Sequence, residues 1–282
     1  MSGNVRLIEM HDDRLDINFT IPPYIQSALP EWGDPRKRRG RGAAARRSGP
    51  CCRAPGAHGT VGPVTRAPLS LPGLTVIFDY GEVISMSQSP ADRAELERLA
   101  GVVNDDGGGG SARFWAAYHA HRDELDQGTA GVAAYWRAVA GEIGASWGEA
   151  RVHELWAADL RSWLSVNPGV IDLLADLRSG GTRLALLSNA GRDYGSFFRH
   201  GPLGAFFAAC YVSGELGLLK PRPEIFKYVL DDLGISPDEM VFIDNRAANV
   251  AGAQELGITG HVFTDPATLR AFLASLAAPA AR

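Results

Sequence analysis

The sequence has few cysteines and no long apolar run, and each shortage excludes a class of protein. Its three cysteines are the adjacent Cys51 and Cys52 and the solitary Cys210, which offer neither a disulfide framework nor a zinc-ligand spacing. No stretch approaches the run of about 18 apolar residues that a membrane span needs. The first residues mix charged and apolar side chains, unlike a signal peptide. We therefore expect a cytoplasmic protein with no membrane partner.

The net charge of −4 is unevenly distributed along the chain. Residues 1–70 hold 11 Lys and Arg against 6 Asp and Glu, or +5, and the remainder holds 17 against 26, or −9. An acidic body gives no electrostatic reason to expect nucleic acid as a partner of the core. The basic cluster RKRRGR at 36–41 is interpreted as part of a solvated tail.

Composition divides the chain into a front segment and a globular body. Residues 34–73 are rich in Arg, Gly, Pro and Ala and have neither a helical nor a strand period. We expect the basic extension at 1–71 to be disordered. From Leu74 a short apolar strand is followed by a long helical stretch and then by alternating strands and helices. This order predicts an α/β core with a parallel sheet, interrupted after its first strand by an all-helical insertion.

Polar residues stand where three of the predicted strands end. These residues are Asp79, the pair Ser188–Asn189 and the pair Asp244–Asn245. Ligands of open parallel sheets bind beyond the carboxyl ends of the strands, so we expect these side chains to meet there. Asp244 and Asn245 supply oxygen atoms suited to Mg²⁺.

Lys220 completes a set that phosphoryl transfer requires. The chain has three lysines, and Lys220 immediately precedes a predicted helix in LLKPRPEIF, where a compact charge suits a phosphate or a carboxylate pair. With Asp79, Ser188 and Asp244 it supplies a nucleophile, a phosphate ligand, a charge clamp and a metal ligand. A carboxylate attacks phosphorus only when its repulsion from the phosphate is offset by such positive charge.

Four segments resemble motifs one to four of the haloacid dehalogenase-like (HAD) superfamily of hydrolases in order and spacing. They are VIFDYGEVI, LALLSNAG, LKPRPEIFKYVLDDLG and VFIDNRAANVAGAQELG, and together they cover about Leu74 to Thr264. The resemblance implies a Rossmann-like, doubly wound core at 72–89 and 166–282. It also implies a helical cap of the first type at 90–165, as in subfamily IA.

The resemblance implies a role for each motif residue. Asp79 would be the nucleophile and a Mg²⁺ ligand, the Gly81 carbonyl a second ligand, and Asp244 the last protein ligand. The residues implied to hold phosphate are Ser188, Asn189 and Lys220, of which Lys220 also steadies the nucleophile. The expected function is a Mg²⁺-dependent phosphatase of a small phosphorylated metabolite, such as a sugar phosphate, acting through an aspartyl-phosphate.

The sequence departs from the family pattern at two positions. Gly81 stands where most phosphatases of the family carry an Asp that protonates the leaving oxygen, and Asn245 replaces a second acid of motif four. One explanation is a substrate with an easy leaving group, such as a sugar 1-phosphate or acyl phosphate. Some bacterial Asp-x-Gly glucose-1-phosphate phosphatases of the family look similar. A second is another acid, and a third is a protein that binds a phosphorylated ligand with weak or no turnover.

The second explanation needs a replacement acid near the site. Candidates for an acid, a base or a substrate contact are Glu82, Arg122, Asp126 and Asn245. The insertion segment YHAHRDELDQG also holds His119, His121, Asp123 and Glu124, but it is interpreted first as the polar face of a helix ending at Gly128. The aromatic residues of the insertion are interpreted as packing between helices. An alternative enzyme is a 2-haloacid dehalogenase, which also uses an Asp nucleophile and needs no metal.

Overall fold

The computed structural model describes residues 68–102 and 109–277. The extension expected to be disordered at 1–71 lies outside the described residues, apart from 68–71. Within the described ranges, no helix combines the length and the apolar character that crossing a membrane requires.

One parallel sheet forms the centre of the fold. Its strands are β1 Thr75–Phe78, β2 Arg183–Ser188, β3 Ala209–Val212, β4 Met240–Asp244 and β5 Thr259–Val262. They lie in the order β3-β2-β1-β4-β5, so the chain leaves β1 on one side for β2 and later returns to its other side with β4. Every residue of β1 and β4 is buried, as expected for strands covered on both faces. The carboxyl end of β1 is therefore a topological switch point, where open sheets bind ligands.

A helical insert follows β1 and a short helical turn at Tyr80–Ile84. Its helices are α1 Pro90–Ala100, α2 Gly110–Ala120, α3 Arg122–Asp126, α4 Val132–Ile143 and α5 Glu149–Ser162. The insert has a hydrophobic cluster of its own, built around Tyr118, Tyr135 and Trp136. The interpretation of these aromatic residues as packing groups is therefore confirmed. That the insert acts as a cap stays a prediction.

Within the described residues, six further helices pack on the sheet. They are α6 Pro168–Ser179, α7 Tyr194–His200, α8 Ser213–Leu216, α9 Pro223–Leu233, α10 Ala247–Gln254 and α11 Pro266–Leu276, with short 3₁₀ turns at Pro202–Phe206 and Pro237–Glu239. One hydrophobic cluster includes Phe78 and Val170, and the cluster on the other face includes Ile77 and Phe226. The predicted α/β fold is confirmed, whereas α7 was not predicted from the sequence.

A close backbone approach joins the insert to the sheet domain at Gly128. This residue follows α3 with a φ of +74°, and a Cβ there would overlap the carbonyl oxygen of Gly214 and lie 2.8 Å from Nε of Arg192. Gly144, at the end of α4, has the same φ of +74° but no neighbour within 4 Å of such a Cβ. The two glycines therefore differ in contact and not in backbone conformation.

We expect Gly128→Ala to lower the free energy of unfolding by about 2–4 kcal/mol, because it adds an overlap to the left-handed strain. Gly144→Ala carries the strain alone and should cost about 1 kcal/mol. Urea denaturation of both variants and the wild type measures the difference. Equal losses in the two variants would contradict a tight contact between Gly128 and Gly214.

Candidate active site

The ammonium group of Lys220 lies between two carboxylates at the carboxyl end of the sheet. Its Nζ donates to Oδ1 of Asp79 at 2.7 Å and to Oδ2 of Asp244 at 2.8 Å. A third bond, of 2.9 Å, goes to the carbonyl oxygen of Leu187. Residues far apart in the sequence thus meet at the ends of β1, β2 and β4, as the strand-end pattern predicted.

The backbone holds each member of this group in place. The Asp79 N–H donates to the carbonyl of Ile243 at 2.8 Å, which extends the β1–β4 ladder up to the carboxylate. The side chain of Asn189 exchanges two hydrogen bonds of 3.0 Å with the backbone N–H and C=O of Lys220. Lys220 therefore approaches the carboxylates from a loop that Asn189 fixes to the end of β2.

Asp244 is fully buried and accepts hydrogen bonds at both oxygens. Its Oδ1 accepts from the backbone N–H of Arg246 at 2.8 Å, and its Oδ2 accepts from Nδ2 of Asn249 at 2.9 Å as well as from Lys220. Asn249 lies on α10, and sequence reasoning missed it. These donors hold the carboxylate in one orientation, which a metal ligand or a charge partner of Lys220 requires.

Burial and charge act against each other in this group. Burial raises the pKa of Asp79 to about 6, against the lowering effect of the Lys220 charge. Burial also acts to lower the pKa of Lys220, but the charges of Asp79 and Asp244 outweigh it and hold that pKa above its ordinary value. When both acids are ionised, the buried group carries one net negative charge, which favours a further cation beside it.

The oxygen atoms here fit a Mg²⁺ ion. A Cβ on Gly81 would lie 3.9 Å from Oδ2 of Asp79 and would have no other neighbour within 4 Å, so space is open beside this carboxylate. Within residues 68–102 and 109–277, no group of three His, Cys, Asp or Glu side chains could hold a metal ion. The carboxylates of Asp79 and Asp244 and the carbonyl of Gly81 are oxygen donors of the kind that Mg²⁺ binds, and this ion takes few protein ligands and keeps several waters. The implied ligands Asp79, Gly81 and Asp244 therefore stay a prediction that the donor set supports.

A pocket opens above this group and contains most of the predicted site residues. Those that line it are Asp79, Gly81, Glu82, Arg122, Ser188, Asn189, Lys220 and Asn245. Ser188 is buried at the end of β2. Asn189 uses its Nδ2 once, toward Lys220, which leaves its second N–H for another acceptor. The phosphate-binding roles of Ser188 and Asn189 stay predictions.

Asn245, one of the two departures from the motif pattern, contacts Glu82, the residue that follows the other departure at Gly81. Nδ2 of Asn245 donates to Oε2 of Glu82 at 2.8 Å, and Glu82 has a left-handed φ of 57°, which is uncommon outside glycine. The Glu82 N–H donates to Oγ of Ser85 at 3.0 Å. This turn directs the Glu82 carboxylate to Asn245, so a role for it as acid stays a prediction.

The polar segment of the insert divides into exposed and buried members. His119, Asp123 and Glu124 are exposed, as the polar-face interpretation predicts. Arg122 instead donates from Nη1 to Oδ2 of Asp159 at 2.9 Å and to the Tyr118 hydroxyl at 3.2 Å. Its Nε lies 3.4 Å from Oδ1 of Asp126. Arg122 lines the pocket, whereas Asp126 is buried behind it.

Six residues that line the pocket are not among the predicted site residues. They are Tyr80, Trp163, Ala190, Tyr194, Arg246 and Asn249. Tyr194 belongs to α7, which the sequence does not predict, and the sequence predicts Trp163 as a packing residue of the insert. Arg246 and Asn249 follow Asp244 on the motif-four segment, and that proximity is the one signal that pointed to them.

Comparisons with known proteins connect this geometry to a family of hydrolases. A family model described as "haloacid dehalogenase-like hydrolase" matches residues 72–257. The (S)-2-haloacid dehalogenase 4A of Burkholderia cepacia is 30% identical over 33% of this chain and 41% of its own. The phosphoserine phosphatase of Thermus thermophilus is 36% identical over 30% of this chain and 35% of its own. The chain thus spans less than half the length of each of these relatives.

A solved structure shares the fold over most of the chain. It is a HAD family enzyme from Bacteroides thetaiotaomicron in complex with magnesium and inorganic phosphate, with a TM-score of 0.53 and 22% identity. The match covers 70% of this chain and 98% of that protein. At this identity the similarity shows the fold alone.

The buried carboxyl group of Asp126 should make stability depend on pH. Burial raises its pKa from the ordinary 3.8 to about 6, although the Arg122 charge lowers it. The folded state then binds this proton more tightly than the unfolded state. This contribution to stability is present below about pH 4 and is lost as the pH rises through about 6.

We expect Asp126→Asn to remove this dependence. The wild type should lose about 2 kcal/mol relative to the variant between about pH 4 and pH 7. Urea denaturation across this range measures the loss. Asp123→Asn on the exposed side of α3 is the control and should follow the wild-type curve. Parallel curves for the wild type and Asp126→Asn would contradict the raised pKa.

Proposed function

Because the chain belongs to the haloacid dehalogenase-like hydrolases, we propose that it is a Mg²⁺-dependent phosphatase of a small phosphorylated metabolite, with Asp79 as nucleophile. The observation that carries this proposal is the placement of Lys220 Nζ between Asp79 and Asp244, at 2.7 and 2.8 Å. A cation fixed there offsets the repulsion between an attacking carboxylate and a phosphate dianion.

The residues around the pocket supply the positions that the reaction needs. The carboxylate of Asp79 attacks phosphorus, and Lys220 holds it through the hydrogen bond to Oδ1. Ser188 and the second N–H of Asn189 bind the equatorial phosphate oxygens, together with Lys220. Asp79, the Gly81 carbonyl and Asp244 would hold Mg²⁺, which would supply Lewis-acid neutralisation of the charge between nucleophile and phosphate.

The reaction proceeds in two displacements. In the first, a bond forms between a carboxylate oxygen of Asp79 and phosphorus while the bond between phosphorus and the leaving oxygen breaks, and the leaving oxygen takes up a proton from water. In the second, water attacks the phosphorus of the aspartyl-phosphate and releases inorganic phosphate and the free carboxylate. The insert lies over the pocket through Arg122, and it limits the access of bulk water during the first step.

Protonation of the leaving oxygen is the step for which this chain lacks the usual residue, an Asp at the position of Gly81. Gly81 carries no acid, and the Glu82 carboxylate accepts a hydrogen bond from Asn245. We infer that the substrate has a leaving group that departs with little protonation. A sugar 1-phosphate or an acyl phosphate has this property.

A 2-haloacid dehalogenase is the second candidate. The similarity to the (S)-2-haloacid dehalogenase of Burkholderia cepacia favours it, and an Asp nucleophile serves both reactions. The two functions differ in the need for a metal. Phosphate release should stop on chelation with EDTA, whereas halide release from a 2-haloacid should continue.

We expect Asp79→Asn to lower phosphate release by at least about 10³-fold, because an amide oxygen is a poor nucleophile. Release would be measured with sugar 1-phosphates, sugar 6-phosphates and an activated aryl phosphate, in Mg²⁺ and in EDTA. Asp172→Asn, an exposed change on α6, is the control and should retain wild-type rates. A wild type that releases no phosphate even from the aryl ester would refute the phosphatase.

We also expect Gly81→Asp to raise activity on substrates with poor leaving groups. The φ of −63° and ψ of 121° at Gly81 suit any residue, and a Cβ has space there. A positioned general acid contributes about 10²–10⁴ in rate, so turnover of sugar 6-phosphates should rise at least about tenfold relative to the aryl phosphate. Gly81→Asn matches the volume without the proton and should show no such rise. An equal rise in turnover of sugar 6-phosphates in Gly81→Asn and Gly81→Asp would contradict the proposal that the natural substrate has an easy leaving group.

A further inference from the structure

Two buried polar atoms of residues that line the pocket have no hydrogen-bond partner among the described residues. They are the hydroxyl of Tyr194 and Nε1 of Trp163. Tyr194 is 5% exposed, and both residues line the same pocket as Asp79 and Lys220. A buried donor without an acceptor costs about 1–3 kcal/mol, so two of them in one cavity point to a ligand that accepts.

Arg122 adds a third donor to the same pocket. A guanidinium has five N–H groups and cannot accept. Its bonds to Asp159 and Tyr118 and its contact with Asp126 leave part of this donor capacity available. The two carboxylates do not line the pocket, so they fix the guanidinium from behind while it presents donors to the cavity.

Tyr80 connects Trp163 and Tyr194 to the nucleophile. The Tyr80 hydroxyl donates to the carbonyl of Trp163 at 2.7 Å, and Tyr80 directly follows Asp79. The rings of Tyr80 and Tyr194 both pack against Phe198. A group bound by Trp163 and Tyr194 therefore belongs to a short substrate whose phosphate lies at Asp79.

We propose that Tyr194, Trp163 and Arg122 form a subsite for an oxygen acceptor that carries no proton, namely a carboxylate or a ketone carbonyl of the substrate. Of the three groups only the Tyr194 hydroxyl can also accept a hydrogen bond, whereas the indole and the guanidinium donate only, so two of the three require an acceptor from the substrate. Arg122 lies against two carboxylates, Asp159 and Asp126, so its charge is already offset. The subsite therefore admits a neutral carbonyl, and it admits a carboxylate when Asp126 is protonated. The proposal rests on the phosphatase function and narrows its substrate class.

Four short phosphate esters with a common skeleton test this subsite. They are 2-phosphoglycolate (carboxylate), hydroxyacetone phosphate (ketone), 2-hydroxyethyl phosphate (hydroxyl) and ethyl phosphate (no acceptor), each assayed with Mg²⁺ alongside an aryl phosphate. We expect kcat/KM for the carboxylate or the ketone to exceed that for ethyl phosphate at least tenfold, mainly through a lower KM. Whether the carboxylate ester or the ketone ester shows the higher kcat/KM decides which of the two acceptors the subsite binds.

Tyr194→Phe then removes one donor and no volume. The ratio of kcat/KM between the preferred ester and ethyl phosphate should fall about fivefold or more. The free energy of unfolding should not fall, because the hydroxyl has no partner within the described residues to lose. Tyr228→Phe, at an exposed position on α9, is the control and should keep the wild-type ratio.

The outcomes separate the two proposals. Turnover of the aryl phosphate with no preference among the four esters overturns the subsite alone, as does a preference for the hydroxyl ester. A loss of stability in Tyr194→Phe with an unchanged ratio shows a structural role for the hydroxyl and also overturns the subsite. No turnover of any ester, the aryl phosphate included, refutes the phosphatase and with it the subsite.

Discussion

The buried ammonium of Lys220 is the interaction on which the rest of the site depends. It joins Asp79 after β1, Leu187 in β2 and Asp244 at the end of β4 through three hydrogen bonds of 2.7–2.9 Å. Three neighbouring strands thus end at one cation. Removing one partner of such a buried pair costs about 3–5 kcal/mol, because an uncompensated charge remains. The group is therefore rigid, and its one excess carboxylate makes it a place for a metal cation.

The sequence predicted the part of this site that follows from local pattern. A run such as TVIF is recognisable as a buried strand without knowledge of its neighbours, and a parallel sheet places all strand ends at one edge. Asp79, Ser188 and Asp244 could therefore be brought together from the sequence. Lys220 could be predicted as a site residue because lysines are few in this chain and because it immediately precedes a predicted helix. The family resemblance added roles to these positions.

The remaining residues depend on how helices cross, which no local pattern records. Asp123 and Asp126 lie on the same short helix and look alike in the sequence, but only Asp126 is buried. Asp126 lies on the side of α3 where Arg122 binds Asp159, and Asp159 is 37 residues away from Arg122 along the chain. Trp163 and Tyr194 were missed for the same reason. Their rings pack as core residues do. That both residues line the pocket and that their polar atoms lack hydrogen-bond partners becomes visible only in the folded structure.

The missing acid and the donors of the pocket favour the same kind of substrate. An Asp at position 81 would place a second carboxylate near Asp79, and two like charges in a partly shielded site repel each other. Gly81 removes that repulsion, while Arg122 and Arg246 line the pocket as cations. A carbonyl near the ester oxygen withdraws electrons from it and makes it a better leaving group. A substrate that satisfies Tyr194, Trp163 and Arg122 therefore has less need of the proton that Gly81 cannot donate.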